Sequence, residues 1–405
     1  MSRRPAGRRP ALAVAVALFG VTQIVAWGSL VYSIAVLAQP MAAELGLATT
    51  TIFGAFSLSL AASGLASPAV GRAIDNYGGR AVLAAGSLVG ALAFVLIAFA
   101  DGPWLFFAGW LLAGVAMAAT LYDAAFAVLS QFAGSGYRRA LTALTLLGGF
   151  ASTVFWPLSW HLEGLFGWRA TLLLFALLHV VVCLPIHRFA LPPRTRALPP
   201  APAEPAAAAP PDALRRTPAR TFVWLAAAFT LAAFIISATA VHGVGALQAS
   251  GLDDATAILA ASLIGPMQVV GRIVEFVFAR NVAATRVGLA AFVVMLVATL
   301  LLSLAGLSAW LAFAFAAAYG LSNGVMSIVR GTVPAELFGR DGYGTLMGRL
   351  AQPAFFAKAA APVLVATLLA HGGTYRTMAM AFFALATLAL AAYLLALRAG
   401  RRERR

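Results

Sequence analysis

Residues 81–100 read Ala-Val-Leu-Ala-Ala-Gly-Ser-Leu-Val-Gly-Ala-Leu-Ala-Phe-Val-Leu-Ile-Ala-Phe-Ala, twenty positions without a charge, between Arg80 and Asp101. Twenty residues at 1.5 Å per residue match the roughly 30 Å of a bilayer's hydrocarbon core, so this stretch reads as a membrane-crossing helix. Outward from it the same pattern repeats over 12–40, 50–70, 104–131, 140–162, 169–188, 221–248, 255–278, 287–306, 308–331, 344–370 and 374–397. The fold class is therefore an all-α membrane protein with 12 transmembrane helices.

The composition agrees. The 405 residues are 62% hydrophobic and 10% charged, too few charges to clothe a water-soluble domain, which carries about 25%. The chain opens with Arg3, Arg4, Arg8 and Arg9 before an apolar run, as a secretory signal would. That run reaches about Pro40, too long for a signal core, and reads as a retained first span. The formal charge of +15 comes almost wholly from Arg, with Lys358 the one lysine, and the Arg sit between apolar blocks. That is a topology signal rather than a nucleic-acid footprint. With the N-terminus in the cytoplasm, Arg80, Arg138, Arg139, Arg280, Arg286, Arg340 and the tail from Arg398 all fall on that side. Arg169 and Arg376 remain opposite, with Glu44, Asp101, Glu163, Asp253 and Asp254. Both termini are thus expected in the cytoplasm. The preference for Arg and Ala suggests a GC-rich bacterial source and a cytoplasmic (inner) membrane. A single cysteine, Cys183, excludes an intrachain disulfide and a cysteine metal cluster.

One gap is unlike the others: 189–220, rich in Pro and Ala, with Arg194, Arg196, Arg215, Arg216 and Arg220. It reads as a cytoplasmic linker between two six-helix bundles, 1–188 and 221–405. Sliding one half onto the other supports a duplication. At an offset of 205, Gly46-Leu47 meets Gly251-Leu252, Ser57-Leu58 meets Ser262-Leu263 and Pro157 meets Pro362; at 206, Gly136-Tyr137 meets Gly342-Tyr343. Pseudo-symmetric bundles imply a transporter whose site lies between them at mid-membrane.

Between spans 2 and 3 the chain reads Gly71-Arg-Ala-Ile-Asp75-Asn-Tyr-Gly78-Gly79-Arg80. This resembles the G-x-x-x-D-x-x-G-x-R loop of the major facilitator superfamily, and Phe166-Gly-Trp168-Arg169 before span 6 is also similar to many members. The equivalent second-half loop departs from the pattern, Arg280 falling opposite Asp75 and Phe276 opposite Gly71. The resemblance implies a latch made by Gly71, Asp75, Gly78 and Arg80 that holds the cytoplasmic side shut; on residues alone, helix capping is the competing reading.

Ionisable groups inside spans cost about 2.5–3.5 kcal/mol each on insertion scales and so need a cavity or a partner. Lys358, some fourteen residues into span 11, is either a ligand for an anion or half of a buried ion pair. Arg272 on span 8 has Gln268 one turn away and Glu275 three residues on, so an Arg272–Glu275 pair competes with a ligand role. A cation on span 8 with another on span 11 resembles the oxalate/formate and monocarboxylate branch, where the two hold the substrate carboxylate; the resemblance carries over to Arg272 and Lys358. Asp123 on span 4 and Arg330 on span 10 occupy equivalent spans, as a static bridge or as a carboxylate whose protonation releases the arginine. Asp123 and Glu275 are the acids placed for proton coupling. Gln23, Trp27, Tyr32, Tyr122, Trp156, Asn323 and Gln352 complete an expected lining, and His242 and His179 read as packing groups.

Cations at mid-membrane outnumber acids, which favours a small organic anion, moved by alternating access through a monomer in the lipid bilayer. An exporter of lipophilic compounds built on Asp123, Trp27 and Trp156 is the rival. No GxxxxGK[ST] loop, nucleophile elbow or metal-ligand spacing occurs, so neither an ATP-driven pump nor an enzyme is expected, and no cofactor or metal is called for.

Overall fold

The computed structural model describes residues 8–191, 219–279 and 281–402. The body of the expected linker, Arg280, and Arg3 and Arg4 lie outside them. Everything regular in the described residues is helical, as it must be where no water can satisfy the backbone.

Eleven stretches are long and apolar enough to cross a membrane. One, Gly134–Ala190, runs for 57 residues, nearly three times the length a bilayer needs. It reverses at Gly167, whose φ of 77° favours a residue without a Cβ, so it supplies spans 5 and 6 and the crossings number twelve. The others are Arg8–Trp27 continued through a π-turn to Tyr32 (span 1, followed by the shorter helix Ile34–Leu45), Thr49–Tyr77 (2), Gly79–Ala98 (3), Pro103–Thr120 with Tyr122–Phe132 (4), Ala219–Ala249 (7) and Asp254–Ser262 with Ile264–Phe278 (8). Ala284–Ser303, Ala309–Phe338, Tyr343–Ala370 and Tyr375–Arg402 form spans 9 to 12.

Five spans read as continuous from the sequence are irregular along their length, span 6 by a π-turn at His179–Cys183. Span 1 carries a π-turn at Gly28–Tyr32, and span 4 is interrupted where Leu121 turns extended (ψ −176°). Span 5 is divided at Gly149–Phe150, and span 8 is broken at Leu263. In span 4 the break frees the Thr120 carbonyl, which accepts a 2.8 Å hydrogen bond from the fully buried Gln23 amide. It also starts a new helix at mid-membrane with Asp123 in its first turn, where a carboxylate faces the positive end of the helix dipole.

The bundles meet tightly at one end. Spans 2 and 11 run antiparallel, and a Cβ on Gly71 would strike the Gly344 carbonyl, one on Gly348 the Ser67 carbonyl. Small residues at this spacing let the two backbones touch. One continuous apolar core there joins Phe19, Ile74, Phe126 and Leu141 of the first half to Met326, Val329 and Leu346 of the second. The remaining core of the first half, around Leu30, Phe94, Trp110 and Phe175, gathers Ala351, Phe355 and the partly buried Ala359 from the second, all on span 11. The molecule is closed at one face and its halves have separate cores toward the other. The closed face carries Arg80, Arg138 and Arg340 and is called the basic face below.

Candidate functional site

The charged side chains along the seam divide into paired and unpaired. Arg330 Nη2 lies 2.9 and 3.1 Å from the two Asp123 carboxylate oxygens, joining span 10 to span 4. Glu275, 3% exposed, receives Arg138 Nε and Nη2 at 3.0 and 2.7 Å and the Thr142 hydroxyl at 3.0 Å. This corrects the Arg272–Glu275 pair that their spacing suggested. Glu275 turns to the opposite bundle, where Arg138 also binds the carbonyls of Ala279 and Val282. Arg272, 7% exposed, is left with one hydrogen bond to a described residue, Nε to the Ser327 hydroxyl at 3.3 Å. Lys358 Nζ sits 5.0 Å from the Phe355 ring centroid. Among the described residues no carboxylate lies within salt-bridge distance of Lys358 or of Arg272. Lys358 is within electrostatic reach of both Asp123 and Arg330.

The wall facing Arg272 is aromatic. Trp27 lies 4.9 Å from Tyr122 and 6.2 Å from Tyr32, ring centre to ring centre, and Tyr32 lies 6.0 Å from Trp156. Trp156 donates its indole N–H to the Tyr32 carbonyl at 3.2 Å, whereas the buried Trp27 Nε1 has no hydrogen-bond partner. The Arg272 guanidinium presses on Gly149, the Tyr122 hydroxyl on Gly148, and Arg272 acts electrostatically on both Tyr32 and Tyr122. Spans 1, 4 and 5 thus bring rings within electrostatic reach of Arg272 on span 8, while Lys358 on span 11 lies by the Asp123–Arg330 pair.

The other lining residues divide. Gln23 is spent on the Thr120 carbonyl. Gln268 and Asn323 are partly buried on spans 8 and 10, and neither amide hydrogen-bonds to a described residue. Gln352 lines a groove of about 440 Å³ between spans 2, 7 and 11, with Pro68, Phe222, Arg349 and Phe356. His242 bonds the Pro362 carbonyl at 3.0 Å and His179 the Ser29 hydroxyl at 2.9 Å, both inside their own halves. No group of three or more His, Cys, Asp or Glu able to hold a metal occurs among the described residues.

At the basic face Asp75 crosses the seam. Its carboxylate accepts the backbone N–H groups of Gly344 and Thr345 at 2.9 and 2.7 Å and the Thr345 hydroxyl at 2.7 Å. A carboxylate from one bundle therefore caps the first turn of a helix in the other. Gly71 permits that approach, and Gly78, at φ 84°, turns the chain into span 3. Arg80 stays within its own half, donating to the Leu191 carbonyl at the end of span 6. Arg340 donates to the Gly134 carbonyl at 2.6 Å. The duplicated tyrosines converge: Tyr137 and Tyr343 both donate to the Gly331 carbonyl, at 2.9 and 2.5 Å. Sequence reasoning used Arg138 only as a topology marker and gave no role to Thr142, Ser327 or these tyrosines; the 206-residue offset of Tyr137 and Tyr343 was the one available signal for the tyrosines.

The family model of the Major Facilitator Superfamily matches residues 18–348. Among solved structures, the human organic anion transporter MFSD10 (TETRAN) is similar at a TM-score of 0.66 and 18% identity, covering 97% of this chain and 100% of that one. The proton:xylose symporter XylE, bound to 6-bromo-6-deoxy-D-glucose, is similar at 0.70 and 10%, covering 95% of each chain. At these identities the likeness is one of fold. No curated protein sequence matches the chain.

Proposed function

Since the chain belongs to the Major Facilitator Superfamily of membrane transporters, we propose that it is a secondary transporter of a small organic anion, working by alternating access. The observation that carries this reading is the charge inventory. Arg138 and Arg330 have their carboxylates, whereas Arg272 and Lys358, at the seam, have none within salt-bridge distance among the described residues. A buried cation is costly unless paired, and a carboxylate arriving from outside is the partner that both lack.

Arg272 and Lys358 would hold the anion, with Gln268 and Asn323 as free amides nearby and Tyr122, Tyr32, Trp27 and Trp156 as its apolar wall. The Asp123–Arg330 pair sits beside them. A proton on Asp123 would release Arg330 toward the substrate and couple the two fluxes. We read residues 1–188 and 221–405 as the rocking units, with Gly71, Asp75, Gly78 and Arg80 as the latch. The basic face and both termini lie in the cytoplasm, and the host membrane is a bacterial inner membrane. With that face shut, the site meets its anion from the outside. The monocarboxylate branch is the nearest model for the substrate. A carrier of lipophilic cations is disfavoured, because Asp123 is already taken by Arg330.

The test is uptake of radiolabelled small carboxylates into proteoliposomes. Lys358→Ala is expected to abolish uptake in protein that stays monodisperse with an unchanged melting temperature. Normal transport by that variant would end the anion reading.

A further inference from the structure

We propose that the transported anion is a carboxylate carried on a flat aromatic ring, gripped by its charge on one bundle and by its faces on the other. This rests on the anion reading above and sharpens it.

The two walls of the seam are chemically unlike. Both cations without a carboxylate, Arg272 and Lys358, belong to the second half, and the four clustered rings, Trp27, Tyr32, Tyr122 and Trp156, all belong to the first. A ligand that closes the seam must satisfy both walls at once. An acid as small as acetate would neutralise the cations and leave the ring wall uncovered. A purely polar ligand would leave the faces of the rings uncovered. The rings are not stacked against one another: the planes of Trp27 meet those of Tyr122 and Tyr32 at 48° and 34°, and Tyr32 meets Trp156 at 80°. Only Tyr122 has a face occupied by a parallel neighbour, Phe126, at 7°. Tilted rings leave π-faces that a further planar ring can meet edge-on or offset. Among the described residues Trp27 Nε1 is buried with no acceptor, one unmet donor within this ring cluster.

Three monoanions separate the contributions of charge, size and aromaticity: benzoate, cyclohexanecarboxylate (same charge and ring size, no π-face) and acetate. Affinities are measured by calorimetric titration of the purified full-length protein in nanodiscs. Benzoate is expected to bind roughly 2- to 10-fold more tightly than cyclohexanecarboxylate, the span that one or two aromatic contacts supply beyond their area. Trp27→Leu and Tyr32→Leu should each lose more benzoate affinity than cyclohexanecarboxylate affinity, and Lys358→Ala should weaken both acids. Equal affinity for the two six-membered-ring acids, or a benzoate preference that survives both leucine variants, overturns the aromatic inference and leaves the anion reading standing. Failure of all three acids to bind removes both.

Discussion

The latch can be weighed from its own bonds. Asp75→Ala deletes one carboxylate that accepts three hydrogen bonds, 2.7 to 2.9 Å long, from the first turn of a helix in the other bundle. When the basic face is open, water solvates both partners, so the loss falls on the closed state alone. Removing a helix cap costs about 0.5–2 kcal/mol, and a charge at a helix N-terminus adds about 0.3–1. With three good bonds lost together, the closed state should weaken by about 2–3 kcal/mol, shifting its population roughly 30- to 150-fold. A reporter exists in Leu141, fully buried on span 5 and packed against Gly331 of the opposite bundle. Only a parting of the bundles exposes it. In a Cys183→Ser background, Leu141→Cys should react with a maleimide in proportion to the open population. Adding Asp75→Ala should raise that rate by the same 30- to 150-fold. A rise under threefold would show that the carboxylate does not hold this face shut.

The same reporter reads Gly71→Ala, whose methyl would strike the Gly344 carbonyl, a backbone atom that cannot swing aside; labelling should accelerate even with Asp75 intact. Arg138→Ala leaves Glu275 buried with only the Thr142 hydroxyl, so it should open the basic face more than the double variant Arg138→Ala/Glu275→Gln, in which no charge is stranded. Equal labelling of the two would contradict this. On the opposite face, hydrogen bonding by Arg169 holds the Glu44 carboxyl below its usual range, with help from the Trp168 indole N–H. A depressed carboxylate stabilises above its unfolded value near 4.5 and loses that contribution as pH falls through its lower folded value. Glu44→Gln should therefore lower the melting temperature at neutral pH, and the gap from wild type should close on strong acidification; a gap independent of pH would refute the assignment.

How much of this was legible from the residues depends on the range of the interaction. Span positions follow from runs such as 81–100, because hydrophobic length is a local property. The Asp75 loop could be singled out by its resemblance to a known family's loop; the close approach at Gly71 and the turn at Gly78 show what its glycines do. The Asp123–Arg330 contact was open to inference because the duplication makes spans 4 and 10 equivalent, and equivalent spans face each other across the axis. The partner of Glu275 was not accessible in this way. Helical spacing pointed to Arg272, but Arg138 lies 137 residues away, and no periodicity records which bundle face it meets. The break in span 4 was equally hidden. No Gly or Pro marks Leu121, and the irregularity is stabilised from outside, by Gln23 on another span. The aromatic wall was visible only as separate candidates, since Trp27, Tyr122 and Trp156 acquire a common surface when three helices converge.

The distribution of bonds between the halves also constrains how such a site can drive a cycle. Asp75, Arg138, Arg340 and Tyr137 all bridge the bundles at the basic face, and the Asp123–Arg330 pair joins them between spans 4 and 10. Beyond that pair neither Arg272 nor Lys358 has a carboxylate within salt-bridge distance among the described residues, and Arg330 acts repulsively on Lys358, so without a ligand neither cation draws the halves together on the open side. A ligand changes the balance only through contacts that are better in the occluded state than in the open one. A carboxylate held by Arg272 and Lys358 does this electrostatically, since closing expels water and strengthens the attraction. A ring laid against Trp27 and Tyr32 does it by area, since those contacts complete only when both walls meet. Charge on one half and surface on the other therefore make occlusion conditional on a single molecule that presents both. The bonds given up at the basic face then set how well that molecule must fit before the latch can open.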